Sequence, residues 1–266
     1  ICFGLFIDNS LNIPHKSLIG MGYHSCYTPK VIQRHVLENP KWYTAYTPYQ
    51  PEISQGRLEA QYNFQSVMKE LTGLPVSNAS LLDEASTAAE VLNMCKPKGR
   101  DKFLVDSAMH PQILEVLNTK SHASGVKLLI TNFYNDFYKQ LNPDEFCGIM
   151  FSYPNTYGNI DIPFQLLDYF DRPHITKTCN ADILSLFKLK PPSEFGIDIC
   201  FGTAQRLGVP MYYGGPHPAF LVAKEKFIRS MPGRIIGKTQ DYSGNECFRL
   251  GLQTREQHIK KEKATS

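Results

Sequence analysis

The stretch from Phe195 to Phe220 constrains this chain more than any other. An apolar run, Ile197 to Phe201, leads into a polar turn at Thr203 to Arg206. Gly214, Gly215 and Pro216 then return the chain into a second apolar run, Ala219 to Ala223. Strand, polar turn and glycine return are a common way to hold a side chain at the edge of a sheet.

The rest of the chain supplies the partners such a sheet needs. Lys102 to Val105, Val126 to Ile130, Cys147 to Phe151 and His174 to Ala181 read as strands, and Pro111 to Lys120 and Ile162 to Phe170 as helices. Strands separated by helices imply an α/β fold with a largely parallel sheet. Leu58, Tyr62, Val67 and Leu71 predict an amphipathic helix over Ser54 to Leu71, stopped by Gly73 and Pro75. An alanine-rich helix, Ala85 to Cys95, follows Asp83 and Glu84. A short helix over Lys224 to Met231 and a turn at Pro232 to Arg234 lead into Ile235 and Ile236. Phe3 to Ile7 can form a short strand that Pro14 brings to an end.

Two segments resist regular structure. Between Pro40 and Pro51 stand Trp42, Tyr43, Tyr46 and Tyr49, and Pro48 keeps the backbone extended. This predicts an irregular aromatic loop, which needs a surface to pack on. Gly20, Met21 and Gly22 read as a turn with close backbone approach, because no strand-and-helix unit with a further glycine surrounds them.

Composition narrows the partners. Lys and Arg total 28 against 25 Asp and Glu, too even a balance to announce nucleic acid. No apolar run approaches membrane-spanning length, so no membrane partner is expected. Seven cysteines, without a Cys-x-x-Cys pair, read as reduced intracellular thiols, and no metal site is expected.

Four further blocks carry a resemblance. Tyr46 to Glu59, Asn78 to Glu84, Met231 to Gly237 and Thr254 to His258 occur in that order around the Phe195 stretch. Together they resemble the N-terminal, non-catalytic half of the glycine decarboxylase P-protein, the pyridoxal-phosphate component of the glycine cleavage system. Glu38 to Tyr43 and Leu71 to Pro75 look most like the plant mitochondrial form, which implies the mitochondrial matrix. The resemblance implies the large domain of pyridoxal-phosphate transferase fold type I, mostly parallel and flanked by helices, truncated at both ends. Residues 1–18 stay unassigned, 19–55 form an aromatic, proline-rich arm, and 56–266 form the large α/β domain, incomplete at its C-terminus. The chain opens at Ile1 without a methionine and stops where the family continues, so it reads as a fragment.

The same resemblance assigns the chemistry. Pyridoxal-phosphate decarboxylation needs a lysine amine to hold the cofactor. In the family that lysine lies in the other half, and the position matching it here is Gln205, whose amide cannot replace it. Lys188, Lys190 and Lys224 are the nearest lysines, and none has the required place. Ser86 and Thr87 occupy the helix start that holds the phosphate in this fold, yet Asp83 and Glu84 suit the helix dipole and would repel a dianion. His110 stands where a cofactor-stacking group sits, or else simply enters the helix at Pro111. Asp182 matches the pyridine-nitrogen aspartate, or else caps a strand end, the reading favoured without a lysine nearby. Tyr46, Tyr49 and Arg57 are interface candidates.

The strand at His174 to Ala181 is apolar in the family but here contains Lys177 and Asn180, costly if buried without partners. An edge position or relaxed packing is expected. The resemblance implies an oxidoreductase family, glycine dehydrogenase (decarboxylating), with pyridoxal phosphate in the parent enzyme and none expected on this chain alone, which is expected to be inactive by itself. Its expected partners are the catalytic half, the lipoyl-carrying H-protein and a second copy of the parent. The alternative is a stand-alone non-catalytic binding protein or a vestigial copy.

Overall fold

The structure is a computed structural model that describes residues 18–95, 99–211 and 214–251. The strand expected at Phe3 to Ile7 and the Thr254 to His258 block lie outside the described residues.

Seven strands make one sheet: β1 (Val76–Ser77), β2 (Lys102–Asp106), β3 (Lys127–Thr131), β4 (Phe146–Tyr153), β5 (Thr176–Ala181), β6 (Ile199–Thr203) and β7 (Ala219–Ala223). Their spatial order is β1-β7-β6-β5-β4-β2-β3. From β3 across to β6 every pairing is parallel, and β7 runs against both of its neighbours. That reversal is the glycine return read from the sequence. A separate antiparallel hairpin joins β8 (Ile236–Gln240) and β9 (Glu246–Leu250).

The helices are α1 (Lys30–Leu37), α2 (Pro40–Tyr43), α3 (Gln55–Thr72), α4 (Glu84–Met94), α5 (Pro111–Ser124) and α6 (Phe164–Tyr169). Gly73 and Gly125 end α3 and α5 in the left-handed conformation that glycine adopts without a Cβ penalty.

Both faces of the sheet's centre are covered, so β4, β6 and β7 are buried along their whole length. Along β7, Phe220 and Val222 join a cluster with Ile149, Phe151, Cys200, Met68 of α3 and Leu166 of α6. Ala219, Leu221 and Ala223 point the other way, into a cluster with Phe103, Val105, Ile199, Val91 of α4 and Ile113 of α5. Each large side chain fully removed from water here contributes about 1.5–3 kcal/mol. At Gly202 on β6 an added Cβ would stand 2.2 Å from the Ala181 carbonyl and 2.9 Å from the Phe220 ring, so only glycine fits.

Four expectations need correction. β5 is not at an edge: it lies between β4 and β6 near the middle of the sheet. Its polar residues find partners instead. Lys177 Nζ reaches Asp171 Oδ1 at 2.8 Å, and Asn180 Nδ2 donates to Ser152 Oγ at 3.2 Å. Val67 does not belong to the buried side of α3, where Leu58, Gln65, Met68 and Thr72 are buried and Val67 is exposed. The helix expected over Lys224 to Met231 shrinks to one 3-10 turn, Glu225–Phe227. The aromatic segment is irregular except for the single turn of α2, which Asn39 caps by accepting from Lys41 N–H. Among the described residues no helix is long and apolar enough to cross a membrane.

Candidate functional site

Open α/β sheets bind ligands at the carboxyl ends of their parallel strands. Here that edge gathers Tyr153 of β4, Asp182 after β5, Thr203 of β6 and the starts of α4 and α5. Gln205, Ser86, Thr87, His110 and Asp182 all belong to these same strand ends and helix starts.

Most of these residues already have partners within the chain, although the buried Gln205 Oε1 has none. Gln205 is fully buried; its Nε2 donates to the carbonyls of Val209 (2.5 Å) and His24 (3.2 Å), with Cys26 Sγ at 3.6 Å. Asp182 pairs with Arg206 through Oδ2 and accepts from Leu184 N–H through Oδ1 at 3.1 Å, the strand-end cap considered above. At the start of α4, Asp83 Oδ1 accepts from Ser86 N–H at 2.7 Å, and Thr87 Oγ1 donates back to the Asp83 carbonyl at 2.7 Å. The helix start therefore spends a free N–H on its own carboxylate. His110 precedes Pro111 as the N-cap residue of α5, and its Nδ1 is 3.0 Å from Thr156 Oγ1.

Glu84 is the residue whose importance sequence reading missed. It is half-buried as a whole residue, but its carboxyl faces inward, against Gly22, Asn180 and Thr203. Burial raises its pKa to about 7; Asp182 and Asp83 push the same way, while hydrogen bonds from the Asn180 amide and the Thr203 main chain oppose. Three imidazoles share the neighbourhood, and burial lowers the pKa of each. For His24, Arg206 and His217 add to that lowering and Asp182 opposes it; for His110, His24 adds and Asp182 opposes; for His217, Asp83 opposes. His24 was also missed, since a lone histidine in an unstructured segment carries no signal.

Among the described residues no lysine side chain is recorded against these groups. Lys224, one of the nearest in sequence, lies at the opposite edge of the sheet, where Ala223 pairs with Ile199, and its Nζ is 3.0 Å from Asp198. The interface candidates engage the loop itself, α3 and Arg234. Arg57 donates to the Tyr46 carbonyl (2.8 Å) and Ser54 Oγ (2.9 Å), clipping the loop to α3. Tyr49 lies under the Arg234 guanidinium at 5.0 Å, and Tyr46 is 45% exposed.

Comparison with known proteins gives this geometry a context. The glycine cleavage system P-protein family matches residues 7–266. Glycine dehydrogenase (decarboxylating) of Allorhizobium ampelinum is 51% identical over 253 residues, covering 94% of this chain and 26% of that protein. The mitochondrial enzyme of Dictyostelium discoideum is 48% identical over 259 residues, 96% of this chain and 26% of its own length. The chain thus spans about a quarter of the curated relatives it matches. A crystal structure of glycine decarboxylase (P-protein) of the glycine cleavage system, in inhibitor-bound form, superposes with a TM-score of 0.87 at 37% identity, covering all of this chain and 61% of that one. An aspartate aminotransferase of Thermus thermophilus, at 13% identity and a TM-score of 0.51 over 80% of this chain and 58% of that one, shares the fold alone. The sheet is that of fold type I pyridoxal-phosphate enzymes. Bacterial and mitochondrial relatives match at similar identity, so family membership leaves the compartment open. A match across nearly the entire sequence, joined to close superposition on a solved P-protein, shows that this chain belongs to the glycine cleavage system P-protein family.

Proposed function

We propose that this chain is a non-catalytic, scaffolding part of a P-protein that decarboxylates glycine with pyridoxal phosphate and passes the aminomethyl group to the lipoyl arm of the H-protein. The observation that carries the reading is Gln205: the position that would hold the cofactor is a fully buried amide whose N–H groups are spent on main-chain carbonyls. The other residues do not fit pyridoxal phosphate either. Asp83 occupies an N–H at the helix start where a phosphate would bind, and Arg206 neutralises the aspartate that would face the pyridine nitrogen.

In this reading residues 19–55 are an arm and 56–266 the large domain, and the arm with the Tyr46 to Glu59 loop faces the catalytic part. Val31, Ile32, Val36, Leu37, Trp42 and Tyr43 are all 44% exposed or more, which supports such a covered surface. The whole protein would work as a homodimer, in the mitochondrial matrix in a eukaryote. The test is complementation. Added to a separately produced, lysine-bearing remainder of a P-protein with lipoylated H-protein, this chain is expected to raise carbon dioxide release from glycine. Release that is indifferent to the chain contradicts the proposal.

A further inference from the structure

The strand ends that do not fit a cofactor are covered by the chain itself. Gly20, Met21 and Gly22 form a tight turn in which all three residues have positive φ. Beyond Gly22 the chain has no regular structure; Gly22 is buried, His24, Cys26 and Thr28 are partly buried, and Tyr23, Ser25 and Tyr27 are exposed. Its inner side meets the strand ends at successive points. Gly22 lies so close that an added Cβ would be 3.1 Å from the His110 ring and 3.4 Å from Glu84 Oε2. Gln112 Nε2 donates to the Met21 carbonyl at 2.7 Å, and Tyr23 packs edge-on against His217 with ring centroids 4.8 Å apart. Gln205 holds His24 and Cys26; Cys26 Sγ donates to the Val209 carbonyl at 2.9 Å, and Thr28 Oγ1 to the Gly208 carbonyl at 2.6 Å.

We propose that Gly22 to Thr28 is an internal strap that seats at the strand ends in place of a cofactor, is latched there by Gln205, and ties the exposed arm to the sheet. The inference goes beyond the family reading, because it rests on contacts within this chain alone. The strap leads through Pro29 directly into α1, none of whose residues is buried. A partner that grips α1 therefore pulls on the segment that covers Glu84 and His110. Gln205 serves as a positioning residue: its amide holds two stretches of main chain, at His24 and Val209, between which no backbone hydrogen bond runs among the described residues.

Hydrogen exchange resolved by peptide, run alongside alkylation of Cys26 by iodoacetamide, tests this on the chain as it stands. The strap is expected to exchange slowly in the unaltered protein. Gln205→Ala is expected to speed exchange over 22–28 and Cys26 alkylation about tenfold while peptides of β4 and β6 are unchanged. Should Gln205→Ala loosen the sheet as well, Gly22→Ala decides, since its Cβ crowds His110 and Gln112 at helix α5 and touches no strand of the sheet. A strap that exchanges as fast as an exposed loop in the unaltered protein, or that is indifferent to both substitutions, overturns the proposal.

Discussion

Replacing Glu84 by glutamine keeps the shape of the side chain and removes its charge. In the folded chain burial, with Asp182 and Asp83, lifts this carboxyl to about 7 against 4.5 for an unhindered glutamate, the Asn180 and Thr203 hydrogen bonds notwithstanding. The folded state thus keeps a proton that the unfolded chain releases between those two values. A group with a raised folded pKa contributes stability that is complete below the unfolded value and lost as the pH climbs through the folded one. At about 1.4 kcal/mol per pKa unit, the loss between about pH 5 and about pH 8 is about 2.5 kcal/mol. His24, His110 and His217 slope the other way: their lowered pKa values make the folded state lose stability as the pH falls below their unfolded value of 6.5. That contribution is common to both proteins, so the difference between them isolates Glu84. Urea unfolding followed by circular dichroism should show Glu84→Gln gaining on the unaltered chain by about 2.5 kcal/mol across that pH range. Profiles that run parallel to within about 0.5 kcal/mol would refute the buried, proton-holding carboxyl.

Three further outcomes are expected. Gly202→Ala, which drives a Cβ into the Ala181 carbonyl and the Phe220 ring, should cost about 3 kcal/mol in urea unfolding, and an unchanged midpoint contradicts the close approach. Arg57→Ala should release the Tyr46 to Ser54 loop, costing about 1 kcal/mol and opening a protease site there; a loop cut no faster than before counts against the clip. Replacing Tyr46 and Tyr49 together by alanine should weaken association with the catalytic part of a P-protein about tenfold and shift the melting temperature little, whereas equal binding removes that loop from the interface.

What was legible in the sequence follows from what each residue leans on. β7 was read to its end residues because Ala219 to Ala223 is apolar on both faces and a glycine return precedes it. β5 was misplaced because two of its polar groups find partners outside the strand: Lys177 reaches Asp171 in the preceding turn, and the Asn180 amide meets Ser152 and Glu84, while Asn180 Oδ1 stays without a partner. Nothing in a local pattern announces such pairs. Val67 fits the apolar spacing of α3, yet Gln65 takes the buried place, bonding the main chain of Ile236 with both its amide nitrogen (2.9 Å) and its oxygen (2.8 Å). At the site, the resemblance placed Gln205 at the lysine position, but it gave no sign of what the amide holds. The groups it holds lie 181 and 4 residues away and are main-chain carbonyls, which every residue possesses. Glu84 was legible as a partner of the helix dipole; that Gly22 covers it was not.

The central claim is that this family member holds no cofactor of its own. Pyridoxal phosphate added to the chain, followed by borohydride reduction and peptide mapping, tests it directly, with carbon dioxide release from glycine measured on the same preparation. The account predicts scattered, substoichiometric labelling of surface lysines and no release. Stoichiometric labelling of one lysine, together with decarboxylation of glycine, would contradict it.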